Sequence, residues 1–519
     1  MLRQKFLIGY LLGLVWVPLP AAAQDFDFAD VVERARTLAQ DPYRAPQPAP
    51  QFLRDLSYDQ YRDIRFRPGA SLWRGGKSGF EVMLMAPGSY YGHAVTLHEV
   101  DAEGVRQLPF DKDNFSWPND AFAKRIPADL GYSGFKLTYP MDDEAGQDQF
   151  VVFAGASYFR AVGADNRFGL SARGIAIDTG LASGEEYPAF TEFWLERPAA
   201  DADAMVVYGL LDGPSVTGAY RFVVRPGNTT RLDVSARLFF RDGVAMLGLA
   251  PLTSMFYYGE NTPRPVGEWR PQVHDSDGLL VHDGMTGEWL WRPLINPRSL
   301  RVSFLQATDI RGFGLIQRDR AFHQFEDGEA RYDQRPSAWV EPVGDWGSGE
   351  VVLVEIPTRG ESNDNVVAFW HPQDEIGANE EMELAYRLFF GGEDTVRQPG
   401  GRALRTYVGS DVGDANRIGG GGADNALRVV VDFAGGELSA LAPDAAVVSD
   451  VTGVAETEVL EHYVEYLPAK QAWRLSMLLR PAASGLMAAR AFLRLGDRAL
   501  TETWTYELPA QTGIRGPSQ

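Results

Sequence analysis

Cysteine is absent from the 519 residues, which excludes disulfide bridges, thiolate nucleophiles and cysteine metal sites together. Histidine is nearly as scarce: seven residues lie scattered singly, with no zinc spacing and no Ser-His-Asp pattern, and G-x-S-x-G is missing. Any chemistry therefore falls to carboxylates. Basic charge is also in short supply, since 49 Lys and Arg face 70 Asp and Glu, a formal net charge of −21 at pH 7. Such a surface repels phosphate backbones and anionic headgroups, which argues against nucleic acid and direct membrane insertion and leaves a neutral polymer as a fitting partner. Beyond the first two dozen residues, no apolar run approaches the roughly 20 residues of a membrane helix.

The opening MLRQKFLIGYLLGLVWVPLPAAAQ places Arg3 and Lys5 before an apolar stretch that ends in Ala21-Ala22-Ala23. It reads as a secretory leader over residues 1–23, cleaved before Gln24, and it predicts periplasmic localisation. Arg3 alone makes no twin-arginine signal, so export through the general route is expected.

The chain is rich in core-forming residues, 45% hydrophobic and 12% aromatic. Runs such as FEVMLMA (80–86), QFVVFAGAS (149–157), YRFVVRPG (220–227), TRLDVSARLFF (230–240), LRVSFLQAT (300–308) and GEVVLVEIP (349–357) alternate with period two between turn residues. The convincing amphipathic helix is FADVVERARTLAQDPY, with Val31, Val32, Ala35, Leu38 and Ala39 on one side. The pattern predicts an all-β protein of packed sheets. Glycines, a proline and charges at FFGGEDTVRQPGGR mark a boundary between a large unit, 24–392, and a smaller one, 400–512, whose six or seven short strands have immunoglobulin-like arithmetic.

Polar and aromatic residues crowd into a few strings. FAGASYFRAVG, FGLSARGIAIDTG and EEYPAFTEFWLERP put Tyr158, Arg160, Arg173, Glu192 and Trp194 on neighbouring strands or turns, a composition suited to sugar rings and their hydroxyls. SMFYYGENTPRPVGEWRPQVHDSDG contributes Trp269 and the run His274, Asp275 and Asp277, which resembles the start of a calcium loop but lacks its third oxygen position and bidentate glutamate. These residues read as turn formers or sugar contacts, and neither a metal nor a cofactor is expected. In RPSAWVEPVGDWGSGEVVLVEIP, Asp345 stands against Trp346 on a glycine-rich turn, either an ordinary Asx turn or a proton donor beside an aromatic ring.

These strings, together with APLTSMF, RPQVHDSDGL and GFGLIQRDR, resemble the periplasmic glucan biosynthesis family OpgG/OpgD, also called MdoG, from about Phe26 to the C-terminal strands. The resemblance implies a large mutarotase-like β-sandwich with a cleft, joined to an immunoglobulin-like sandwich, and a role in making osmoregulated glucans with a β-1,2-linked glucose backbone. The leader leans toward the G-type branch. Part of the family resembles inverting endo-β-1,2-glucanases or transferases, which implies Asp345 as an acid acting through a substrate hydroxyl and Glu260 as a base at the end of a water chain. The resemblance aligns a family tyrosine with Phe313, which has no hydroxyl, and this weakens the hydrolytic mechanism. Tyr158, Arg173, Trp269, His274, Asp275, Asp277, Phe313, Arg335 and Trp346 are the expected substrate contacts. The competing expectation is a non-catalytic glucan-binding scaffold working beside an inner-membrane glucosyltransferase. Mass spectrometry of the secreted protein should find Gln24 at or next to its N-terminus; an intact leader would refute the processing assignment.

Overall fold

The computed structural model describes residues 26–141, 146–410, 426–483 and 485–508. The leader and its cleavage point lie outside them, as do 411–425 and the last eleven positions. Each of the six alternating runs forms a strand, and Thr229–Phe240 shows the cause, its residues switching between half-buried and buried along most of its length. The chain is all-β. It builds a 10-stranded and a 15-stranded sheet that face each other, plus a four-stranded sheet near the C-terminus.

Aromatic rings interlock between the two large sheets. Phe153, on the smaller one, meets Phe193 and Phe222 of the larger one at ring-centroid distances of 5.5 and 5.1 Å. Each such ring taken out of water stabilises the fold by about 2–3 kcal/mol, so this layer supplies the stability that disulfides do not. The helix Phe28–Gln40, capped by Asp27, buries Val31 and Ala35 against the outer face of the larger sheet over Trp194, Tyr208 and Phe239. That face also takes Glu192, which Arg34 reaches at 3.3 Å. Glu192 and Trp194 therefore belong to the helix contact and stand apart from Arg173, a correction to the sequence grouping.

The expected boundary near 392–400 falls on a short 3-10 turn, Glu393–Thr395, and strands resume at Arg402–Ser410. The two units are nevertheless not separate sandwiches. Leu290 and Trp291 pair in parallel with Thr503 and Trp504, so the 15-stranded sheet runs from the N-terminal unit into the C-terminal one. The four-stranded sheet of Arg402–Ser410, Leu427–Ala434, Ala472–Arg480 and Glu458–Leu467 closes over that extension. One core holds Leu280, Trp291, Ile316 and Trp339 together with Val431, Leu475 and Trp504.

A buried ion pair crosses the junction. Arg318 donates from Nη1 and Nη2 to Glu502 at 2.7 and 2.9 Å, and Glu502 also accepts from the Ala403 N–H at 2.8 Å and from Gln398 at 2.7 Å. The guanidinium lies 3.5 Å from the centroid of Trp291. Removing one partner strands the other charge, so Glu502→Ala should lower unfolding free energy by about 3–5 kcal/mol. Denaturant titration measures this, and a loss under about 1 kcal/mol, the range of an exposed pair, would show that the contact does not hold the units together.

Candidate functional site

Arg173 ends the strand Ser171–Arg173, directly across from Tyr158 on the neighbouring strand. It is only 5% exposed, and its charge is met on several sides. Nε donates to Thr253 Oγ1 at 2.9 Å, Nη1 pairs with Glu185, and the guanidinium lies 4.7 Å from the Tyr158 ring centroid and 5.9 Å from that of Tyr187. Glu185 also accepts from Thr179 at 2.7 Å and from the Tyr187 hydroxyl at 2.8 Å. Burial, then the Glu185 carboxylate, pushes the Tyr187 phenol up to about 12, so it stays a hydrogen-bond donor. Tyr187 is 56% exposed. A fixed, satisfied cation thus holds an open phenol ring, and a flat ring edged by charged hydrogen-bonding groups is what a sugar face requires.

The same polar band continues along the molecule. Arg160 reaches Asp364 at 3.3 Å, and Asp275 forms an ion pair with Arg335 Nε at 3.3 Å within the field of Asp364, Arg160 and Glu361. Arg335 lies 5.3 Å from the Tyr332 ring centroid, and the Tyr332 hydroxyl donates to Glu361 at 2.7 Å. Arg270 ties Glu361, Asp327 and Glu268 together at 2.7, 2.8 and 2.8 Å. Next to it in the chain, Trp269 presents a ring that is 66% exposed. Five of the sequence candidates, Tyr158, Arg173, Trp269, Asp275 and Arg335, therefore fall along one connected set of charges and rings.

Behind the band, three carboxylates converge. Single oxygens of Glu260, Asp277 and Asp319 lie within 4.8 Å of one another. Burial, then the neighbouring Asp277 and Asp319, pushes Glu260 up to about 8, and burial raises Asp277 and Asp319 as well. Burial and the neighbouring carboxylates thus favour the protonated form of Glu260, which accepts from the Thr406 N–H, whereas the family resemblance implies a base. The C-terminal unit reaches the cluster directly, since the Thr406 N–H donates to Glu260 at 3.1 Å and Arg405 pairs with Asp319 at 3.2 Å. Asp277 accepts from the backbone N–H groups of Arg318 and Asp319. His274 is fully buried, with Nδ1 3.0 Å from Gln317 Oε1, and burial lowers it to about 4. As a buried neutral ring it does not meet a substrate directly.

The remaining candidates lie elsewhere. Asp345 sits exposed on the hairpin turn, where its Oδ1 accepts from the Gly347 N–H at 2.8 Å, an Asx turn. Trp346 turns inward, donating to the Ala385 carbonyl at 3.2 Å with its ring 6.5 Å from Trp370 and 6.1 Å from Tyr386. Phe313 is 0% exposed in the main core, which corrects its place among the substrate contacts. Sequence reasoning passed over Glu185, Tyr187, Arg270, Asp319, Tyr332, Glu361 and Asp364. Glu185 and Tyr187 stand two residues apart in EEYPAFTEFWLERP, and Asp319 stands in GFGLIQRDR. Glu361 and Asp364, in ESND, carry no signal beyond polarity.

The comparisons with known proteins agree along the whole described chain. The family described as "Periplasmic glucan biosynthesis protein, MdoG" matches residues 26–508. "Glucans biosynthesis protein G" of Ralstonia nicotianae is 44% identical over 499 residues, covering 96% of this chain and 99% of that one. The proteins of that name from Pseudomonas aeruginosa and Sodalis glossinidius are 44% and 43% identical, covering 96% and 97% of this chain and 95% and 96% of theirs. A galactose mutarotase related enzyme from Lactobacillus acidophilus covers 47% of this chain and 99% of its own at 7% identity and a TM-score of 0.21, which leaves the fold to the strand order above. With the match running from the N-terminal helix to the last described strand, the chain belongs to the MdoG family of periplasmic glucan biosynthesis proteins.

Proposed function

We propose that this protein works in the periplasm on the β-1,2-linked glucose backbone of an osmoregulated glucan, which it binds along the band running from Tyr158 to Trp269. The single observation that carries this reading is the buried Arg173, braced by Glu185 and Thr253, holding the open Tyr187 ring beside Tyr158. A rigid aromatic platform with its charges already satisfied binds a neutral polymer without having to desolvate an unpaired ion. The acidic surface repels anionic competitors and leaves neutral glucan unaffected.

Cleavage or transfer on this band needs a proton donor, and Asp345 remains the proposed one, with Glu260 as its partner. Asp277 lies near the Ser337 end of the ladder that joins Gly278–Asp283, Ile310–Ile316 and Ser337–Pro342, while Asp345 lies beyond the Pro342 end. At about 3.3 Å per residue, the two carboxyls stand on the order of 15–20 Å apart, beyond the roughly 6.5–9.5 Å of a directly acting inverting pair. They act together only through relays, the sugar hydroxyl and water chain that the family resemblance implies. The same separation favours the second reading, a glucan-binding scaffold that assists an inner-membrane glucosyltransferase.

Calorimetry with linear β-1,2-glucan should find affinity reduced about five- to tenfold in Tyr187→Ala and in Trp269→Ala, since a stacked ring contributes on the order of 1 kcal/mol. Unchanged affinity in both would remove the band as the binding surface. Chromatography of glucan incubated with Asp345→Asn should show turnover lost and binding kept if Asp345 is the acid; full turnover in this variant refutes that role. Phe313→Tyr places a hydroxyl in the core and should cost about 1–3 kcal/mol in a denaturant titration. A gain in turnover without that loss would mean that Phe313 faces the reaction path.

A further inference from the structure

Beyond Tyr158 stand four tyrosines from the N-terminal part of the chain, Tyr58, Tyr61, Tyr90 and Tyr91. The short helix Tyr58–Arg62, capped by Ser57, puts Tyr58 and Tyr61 three residues apart on one face. The turn from Gly88 to Tyr91 packs against it. Gly88 and Tyr91 exchange backbone hydrogen bonds at 3.0 and 2.9 Å, and the Ser89 N–H donates to the Leu53 carbonyl at 2.9 Å. Glycine is required at position 88, because a Cβ there would come within 2.9 Å of the Tyr61 ring. Ser89 holds a left-handed φ of 50°, which a residue with a side chain adopts only at a cost. The Tyr61 ring lies 5.3 Å from that of Tyr91, and its hydroxyl donates to the Ala86 carbonyl at 2.8 Å, so these two rings form a fixed base. Their chain neighbours stay in water: Tyr58 is 56% exposed and Tyr90, on the turn, 80%. A strained turn, braced by a ring and by backbone bonds, thus holds out a phenol that the cores do not use.

This group adjoins the band. The Tyr91 ring lies against Gly155, where a Cβ would sit 3.6 Å from it, and the Gly155 carbonyl accepts from the Tyr158 N–H at 2.9 Å. Arg160 follows Tyr158 on the same face of the strand Tyr158–Ala161. Burial raises the Tyr91 phenol, while Arg160 lowers it and Tyr58 raises it further, so both stand close to that hydroxyl. Arg62 lies 5.9 Å from the Tyr58 ring centroid, the distance that Arg173 keeps from Tyr187. Tyrosines beside guanidinium groups therefore continue from Tyr187 through Tyr158 and Arg160 to Tyr58 and Tyr90.

We propose that Tyr58, Tyr90 and Tyr91 lengthen the glucan-binding band, so that the protein takes a long run of the polymer in preference to a short oligosaccharide. The inference rests on the glucan reading and gives it a length. Flat phenol faces suit sugar rings, and Arg160 is already paired with Asp364, so no lone charge has to be desolvated. Sugar units tethered to those already bound stack here without a second association cost, which is how extra rings select for length. The rival occupant of these rings is a protein partner.

Calorimetry tests this on the mature protein with two ligands, a β-1,2-linked oligosaccharide of a few glucose units and a linear β-1,2-glucan several times longer. Tyr58 and Tyr90 are open to solvent, so the double variant Tyr58→Ala, Tyr90→Ala should keep the wild-type thermal midpoint. It should bind the long glucan about tenfold more weakly and the short one within about twofold of wild type. Tyr187→Ala, the reference, should weaken both ligands. If the double variant leaves the long glucan unaffected while Tyr187→Ala weakens it, the extension is overturned in favour of a protein partner and the band stands. Equal weakening of both ligands by the double variant would place these rings in the central platform and overturn the selection for length. Wild-type protein that binds neither ligand overturns the glucan reading itself, and the extension with it.

Discussion

Arg318 is the residue through which both units and the carboxylate cluster are coupled. Its side chain is held by Glu502 of the C-terminal unit and lies over Trp291 of the large one, while its backbone N–H points at Asp277. A buried ion pair of this kind adds little net stability over an apolar contact, because desolvating both charges costs nearly what their attraction returns. What it supplies is geometry. The fork of two N–H donors on two carboxylate oxygens permits one relative placement of the units, and that placement brings Thr406 and Arg405 against Glu260 and Asp319.

The charge pattern obeys the same constraint. On the band from Tyr158 to Trp269 each buried charge has a partner of opposite sign: Arg173 with Glu185, Arg335 with Asp275, Arg270 with three acids. At the junction acids outnumber their partners, and burial raises all three carboxyls there. One region is electrostatically settled and suited to a neutral polymer; the other is left wanting positive charge.

The strands were legible because a half-buried strand writes its two faces into alternate residues, as Thr229–Phe240 does. The N-terminal helix was legible for the analogous reason at its own period. Tyr158, Arg173, Asp275 and Arg335 fall along one band because polar and aromatic residues crowd into the strand-rich strings that build it. Glu192 and Trp194 misled because alternation gives two faces without saying what covers each, and here the helix covers theirs. Trp346 and Asp345 stand side by side in the sequence but point apart on the turn, the ring into the core and the carboxyl to the turn backbone, which neighbouring letters do not show. The joining of the units was invisible, since Leu290 and Trp291 meet Thr503 and Trp504 across a parallel pairing that leaves no local mark.

That pairing also orders the way the chain reaches its folded state. The strand Trp289–Pro293 is flanked on one side by Gly278–Asp283 and on the other by Thr503–Leu508, among the last described residues. Until that final strand arrives, the large sheet ends in an open edge bearing Trp289 and Trp291, a template for pairing with another chain. Closing it brings together segments far apart in sequence, which is slow because the loop entropy must be met before the contact forms. A chain that emerges from its N-terminus therefore completes this sheet only once Thr503–Leu508 has appeared, and removing that one strand leaves the largest sheet with a sticky edge.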